Sequence, residues 1–398
     1  MELYMQMGHG MKNIAKDYLN ENHGGMVIIS PMNIAPSSVI KYAGEVHRLD
    51  GNILFDPQIY FPRKFHKNLV KYEYYPKENI TDLESGNIKQ IMINLADLNK
   101  RLETESLIIP NFSTKKIDHL WERIQNIIID TSNKVAPDIK KFHTVALNAD
   151  IVKDIDSIEA IISFAEEWEV EGVYIVCEHP KNSYFVEEPL WLSNIMHLVA
   201  GIKRQGKKVI VGYCNQQMLS LALAKCDAIA SGNFLNLRWF QPSHFESEKE
   251  NTPSRRTTWY YCPQTLSEYK IPFLDIASRM GVLDRMRPSA ELENLHAASL
   301  FSANRPTNAE FKEGDAFRHY LYCLGKQCIQ YSRNSYQETL DAQLLMIETA
   351  QQLSEGLREV GVRGQNRDFT DFIDVNRAAI SVFDSDYGFQ LSNEWNVL

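Results

Sequence analysis

The chain has 398 residues, 44% of them hydrophobic, which is enough for a barrel-sized core and a further region beside it. Its formal net charge of −9 and pI near 5.7 argue against a protein that coats nucleic acid through bulk positive charge, though a local basic cleft is compatible with both. No stretch reaches the roughly 18 apolar residues of a membrane span, and the opening MELYMQMGHGMKN has no basic or apolar leader segment, so the expected location is the cytoplasm.

Short apolar runs recur along the first 232 residues, at 3–7, 26–29, 53–55, 107–109, 145–147, 173–177, 209–211 and 228–230. Each is expected to be a strand, and nearly every one ends in a polar cluster. Helix-like patterns fill the gaps at 11–22, 37–49, 81–102, 114–135, 157–168, 189–205 and 216–225. Two stretches are too long for plain βα loops, about 57–80 and 233–263. A helix over 266–280 is expected to close the unit. After 288 the pattern is helical only, at about 290–302, 309–331, 336–360 and 369–383. This rhythm predicts an α/β fold: a (β/α)8 TIM barrel over 1–287 with two insertions, then a helical C-terminal domain over 288–398. An open doubly wound sheet is the alternative, but no GxGxxG follows the first strand.

A barrel of this kind does its chemistry where the strands end. The strand-end residues here include His9, Asp56, Asn148, Asp150, Glu178, His179, Tyr213, Asn215 and Ser231. Asp56, Glu178, His9 and Asp150 are the candidate catalytic groups, since acid–base chemistry needs titratable side chains held close together. Each also has a plain structural reading: Asp56 and Asp150 as helix or segment caps, Glu178 in a rim salt bridge, His9 in a tight Gly-His-Gly turn. His9, Asp56, Glu178 and His179 could ligate a metal, but no HxH or HExxH spacing supports one, and neither metal nor cofactor is expected. The six cysteines lack CxxC spacing, and Cys177, Cys214 and Cys226 lie in or beside apolar runs, as reduced core residues do.

The insertions mix aromatic and cationic residues. The first carries Tyr60, Arg63, Lys67, Lys71, Tyr72, Tyr74, Tyr75 and Lys77, and the second Arg238, Trp239, Phe240, Phe245, Arg255, Arg256, Trp259, Tyr260 and Tyr261. Such mixtures suit phosphates and unstacked bases, so nucleic acid, DNA or tRNA, is a candidate partner. Packing of the aromatics onto the barrel is the other reading.

Two segments carry a resemblance. GNILFDPQIYFPR resembles the strand GPILTDSGGFQ of the tRNA-guanine transglycosylase family and its relatives that insert 7-deazaguanines into DNA. KKVIVGYCNQQMLSLALAKCDAIASGNFLNLRWF is similar in layout to that family's seventh and eighth strands. The resemblance implies a barrel glycosyltransferase that exchanges a purine base of 7-deazaguanine type in DNA or tRNA. Asp56 would then be the principal carboxylate, with Glu178 or Asp150 second. Gln58, Asn148 and Asn215 would read the base edge, with Ser231 also at the site. Tyr60 or Tyr213 would stack on the base, and Arg63 and Arg238 would hold phosphates. The chain departs from the family where its nucleophilic aspartate falls, near Ala230 and Ser231, and lacks its CxCxxC zinc cluster. Two other readings stand beside this one: a barrel hydrolase or lyase acting on a small molecule, and a non-catalytic barrel. In either, the helical C-terminus is available for a protein partner or for self-association.

Overall fold

The structure is a computed structural model that describes residues 1–61, 67–76, 87–246 and 257–398. Eight parallel strands form one sheet rolled into a barrel: β1 Glu2–Gln6, β2 Gly25–Ile29, β3 Gly51–Phe55, β4 Leu107–Ile109, β5 Lys141–Leu147, β6 Gly172–Cys177, β7 Lys208–Val211 and β8 Ala228–Ser231. Their hydrogen-bonded order is β3-β2-β1-β8-β7-β6-β5-β4. The β3–β4 junction is therefore a seam without a continuous ladder. The Glu105 amide donates to Ile53 O (3.1 Å) at its foot, and the Ser113 amide donates to Tyr60 O (3.1 Å) above it. The strands are apolar runs because both faces are covered, one by the barrel interior and one by helices; β5 and β6 are buried along their whole length. In β6, Gly172 is required by close approach: a Cβ there would sit 2.4 Å from the Lys208 carbonyl of β7.

The surrounding helices are α1 Lys12–Asn22, α2 Pro36–His47, α3 Ile88–Leu102, α4 His119–Val135, α5 Ala149–Lys153, α6 Ile155–Ala165 and α7 Pro189–Arg204. Their starts follow known end chemistry: proline opens α2 and α7, and the Asp118 carboxylate caps α4 by accepting from the Trp121 amide (3.0 Å). The expected helix after β7 is instead a 3-10 helix, Gln216–Ala224, buried along its whole length. The short helix α8, Ser243–Glu246, follows β8.

The expected helix over 266–280 is only half correct. An antiparallel hairpin, β9 Trp259–Cys262 and β10 Ser267–Lys270, comes first, and α9 Ile271–Arg279 begins after it. The alternation in WYYC and SEYK puts Tyr260, Cys262 and Tyr269 into a small second core with Leu274, Leu300 and Leu357. The C-terminal helices are α10 Leu295–Ser302, α11 Glu313–Gln330, α12 Tyr336–Glu359 and α13 Ile373–Glu394. Tyr320, Leu324, Ile347 and Phe383 from this region belong to the barrel's own apolar core. No helix among the described residues is long and apolar enough to cross a membrane.

Candidate active site at the strand ends

The clearest chemical centre lies at the end of β3. Asp56 is completely buried. Its Oδ1 accepts from the Gln58 amide (3.0 Å) and the Tyr60 hydroxyl (2.9 Å), and its Oδ2 accepts from the Tyr213 hydroxyl (3.0 Å). The Tyr174 hydroxyl, on β6, has one proton to place between Asp56 Oδ2 (3.4 Å) and Gln6 Oε1 (3.2 Å). Gln6 in turn donates to Ser30 Oγ (3.2 Å), so side chains from β1 and β6 and from just past the ends of β2, β3 and β7 join one interior network. Gln58 braces it: its Oε1 accepts from the Met32 amide (3.2 Å) and its Nε2 donates to Tyr213 Oη (2.9 Å). Gln58 and Tyr213 both have left-handed backbones, with φ of 51° and 58°. Burial pushes the Asp56 carboxyl up to about 6, and the four hydrogen bonds pull against that without cancelling it.

An aromatic cap covers this centre. The Phe240 and Phe245 rings each lie 5.2 Å from the Tyr60 ring, and 5.5 and 6.0 Å from the Tyr213 ring. The cap is tied to the end of β6, where the His179 amide donates to Phe240 O (3.2 Å) and Gln241 Nε2 donates to His179 O (2.8 Å).

The other expected site residues have different surroundings. Glu178 accepts from the Ala149 amide (3.3 Å) at the start of α5, and no hydrogen bond joins it to Asp56. Asn148 caps the same helix by accepting from the Ile151 amide (3.0 Å), and Asp150 is exposed beside Lys153 (3.1 Å). Asn215 caps the 3-10 helix, accepting from the Gln217 amide (2.8 Å) and donating to Tyr184 O (2.8 Å). His9 is exposed, while its backbone carbonyl accepts from Asn233 Nδ2 (3.0 Å). Burial holds His179 neutral, near 4, with its ring against Trp191 and Trp239. Ser231 is buried at the end of β8. Arg63, Lys77, Arg255 and Arg256 lie outside the described residues. Among the described residues, no group of three His, Cys, Asp or Glu could hold a metal ion.

Arg238 is buried next to β8. Its Nε donates to Gly232 O (2.9 Å), its Nη2 to Asn233 O (2.8 Å) and its Nη1 to Glu268 Oε1 (3.1 Å), while its guanidinium lies 3.4 Å from the Tyr320 ring centroid. Arg367, from the segment between α12 and α13, binds the other oxygen of Glu268 (2.8 Å) and lies over Trp259. Burial raises the Glu268 carboxyl, but the two guanidiniums outweigh it and hold the group below its ordinary range. These side chains form part of the wall of a cavity of about 360 Å³ between β8, the hairpin and α11. Sequence reasoning missed Glu268, Arg367 and Tyr174. The first two meet only through the fold; Tyr174 did leave a signal, as a lone hydroxyl inside the apolar run GVYIVC.

No family model matches the chain, and no curated protein sequence matches it. Among solved structures it is similar to an intracellular xylanase from Thermoanaerobacterium saccharolyticum, at TM-score 0.39 and 9% identity over 61% of this chain and 89% of that one. It is also similar to a xylanase from Cellvibrio japonicus (TM-score 0.36, 8%, over 58% and 85%) and to a glucosidase from Croceicoccus marinus (TM-score 0.34, 9%, over 54% of each). Similarity this low transfers neither residue roles nor a reaction.

The expected membership of the tRNA-guanine transglycosylase family is corrected by these findings. No family model matches the chain, so none supports base exchange or nucleic-acid modification, and the similar structures named above are two xylanases and a glucosidase rather than transglycosylases. The interior agrees with the correction. The end of β8 offers Ala230 and Ser231 in place of a carboxylate, and Asn148 and Asn215 spend their oxygens on backbone caps rather than a base edge. Tyr72, Tyr74 and Tyr75 of the first insertion are buried, the first two against Phe55, so none of the three is free to stack on a base.

Proposed function

We propose that this chain is an acid–base enzyme of the hydrolase or lyase kind, acting on a small polar molecule, with Asp56 as the proton-carrying group. One observation carries the reading: a carboxyl at the end of a barrel strand, with its pKa near 6, is held by two residues in left-handed backbone conformation. Left-handed backbone at a non-glycine residue costs on the order of 1–3 kcal/mol and persists where the surrounding structure enforces it, often at functional sites. Near neutral pH such a carboxyl exists in both protonation states, as a group that takes up and returns a proton must.

The partners of Asp56 are phenols rather than a second carboxylate. This differs from two-carboxylate glycoside hydrolysis and favours proton transfer between Asp56 and a substrate oxygen or carbon, with Tyr60 and Tyr213 holding the ionised form. A substrate reaches Asp56 by displacing the Phe240 and Phe245 rings. Six buried thiols, none in a disulfide, support a reducing compartment, the cytoplasm.

The test is a panel of aryl glycosides, aryl esters, aryl phosphates and β-hydroxy acids, run from pH 5 to 8 on the unmodified chain and on Asp56→Asn. Turnover lost in Asp56→Asn, with the folded structure retained, supports the reading. Turnover unchanged in Asp56→Asn, or none on any class, rejects it. A second reading, a non-catalytic binding barrel, is favoured by the saturation of the Asp56 oxygens and the sealing rings. It predicts that Asp56→Asn alters stability alone.

A further inference from the structure

We infer that the cavity beside β8 is a binding site for a small organic anion, a carboxylate or a phosphate monoester, gripped by the Arg367 guanidinium. Nothing in this inference depends on the role of Asp56.

The cavity's volume of about 360 Å³ lies at the small end of the range that takes organic ligands. Its wall is a built ionic cluster rather than a patch of surface cations. Arg238 and Glu268 are both almost fully buried and are joined at 3.1 Å, and Glu268 binds Arg367 through its second oxygen. Glu268 is thus saturated by two cations. Glu313, half-buried at the start of α11, is the other carboxylate on the wall.

The unsatisfied hydrogen-bonding capacity selects the ligand. Arg238 already donates through all three of its nitrogens. Arg367 donates through Nη1 to Glu268, while its Nε is buried with no hydrogen-bond partner. The Nε edge of a guanidinium is one of the edges that grip a carboxylate or phosphate at two points, and an unmade bond from a buried charged donor is costly. Arg367 is also fixed in place by the Trp259 face, its guanidinium carbon 4.1 Å from the ring centroid, so little side-chain entropy remains to be lost on binding. Phe234 and Phe317 supply an apolar wall, their rings 4.9 Å apart. The complementary ligand is an anion at one end with an apolar body at the other.

The test is calorimetric titration of the full chain at low salt with benzoate, phenyl phosphate, inorganic phosphate and, as neutral control, benzyl alcohol. Benzoate or phenyl phosphate should bind while benzyl alcohol does not. Arg367→Gln should weaken that binding at least about tenfold, as expected for loss of a charge-assisted pair. Arg367→Lys keeps the charge beside Glu268 and should retain a weakened part of it. Ala316→Phe, which fills the cavity from α11 and keeps every charged residue of the cluster, should abolish binding. Asp56→Asn should leave binding unchanged, so failure here and failure of the acid–base reading are separable. Absence of binding by both organic anions, equal binding by benzyl alcohol, or undiminished binding in folded Arg367→Lys and Ala316→Phe would overturn the inference.

Discussion

Replacing Asp56 with Asn gives a stability difference whose pH dependence reports the charge state of the buried carboxyl. Two effects compete in the cage. Burial disfavours the ionised form, and donors from Tyr60, the Gln58 amide, Tyr213 and Tyr174 favour it; burial wins, leaving the carboxyl at about 6 against an ordinary 3.8. That gap, at about 1.36 kcal/mol per pH unit, is worth about 3 kcal/mol. The sign follows from which state holds the proton more tightly. The folded chain does, so the group's contribution is fully present below pH 3.8 and is lost as pH rises through about 6. Asn cannot ionise, so its effect on stability carries a constant offset from altered hydrogen bonding but no titration. Denaturant unfolding of both proteins at pH 4, 5, 6 and 7 isolates the group, because every other ionisation cancels in the difference. The stability of Asp56→Asn relative to the unmodified chain should rise by about 2.4 kcal/mol between pH 4 and pH 7, the rest of the roughly 3 kcal/mol lying below pH 4, and level off above about pH 6.5. A flat difference would show that the tyrosine hydroxyls fully compensate burial. A difference that falls with pH would show that they overcompensate it, and either outcome would remove the proton-carrying role from Asp56.

Arg238→Met should cost about 3–5 kcal/mol in the same unfolding assay, because it removes one of two cations facing the buried Glu268; a loss under about 1 kcal/mol would mean that Arg367 alone satisfies that carboxylate. Asn148→Ala should cost about 1 kcal/mol through its lost helix cap, whereas Asp150→Ala, an exposed partner of Lys153, should stay within about 0.5 kcal/mol. Equal losses at the two positions would contradict their placement.

The barrel was legible in the sequence because strands buried on both faces must be continuous apolar runs, and all eight stand out between helical patterns. Asp56 was legible for a related reason: a carboxylate directly after ILF, ahead of a proline, falls at a strand end. Its setting was not, since Tyr60 and Tyr213 come from segments 153 residues apart and Tyr174 from inside a strand. Of the hairpin, Ser267–Lys270 falls inside the expected helix because the apolar residues around 266–280 also fit a helical period, and short runs do not separate the two; Trp259–Cys262 falls in the second insertion, where its aromatics read as loop. The insertion aromatics looked like a ligand surface because composition does not say which way a ring points. Arg367 lies in the polar stretch GVRGQNRDF, where nothing local marks a residue that will reach across to β10.

The seam between β3 and β4 gives the first insertion a purpose of its own. A rolled sheet that lacks one ladder keeps two edge strands, and uncovered edges invite pairing with other chains. Tyr72 and Tyr74 lean on Phe55, the last residue of β3; the Tyr74 hydroxyl donates to Pro57 O (3.0 Å), and the Tyr72 hydroxyl reaches Ile34 O (2.9 Å). These rings work as a gasket over the top of the open edge. Replacing Tyr72 and Tyr74 with serine would therefore leave Gln58 and Tyr60 on Asp56 while uncovering an edge able to pair with other chains, with aggregation rather than lost chemistry as the first symptom.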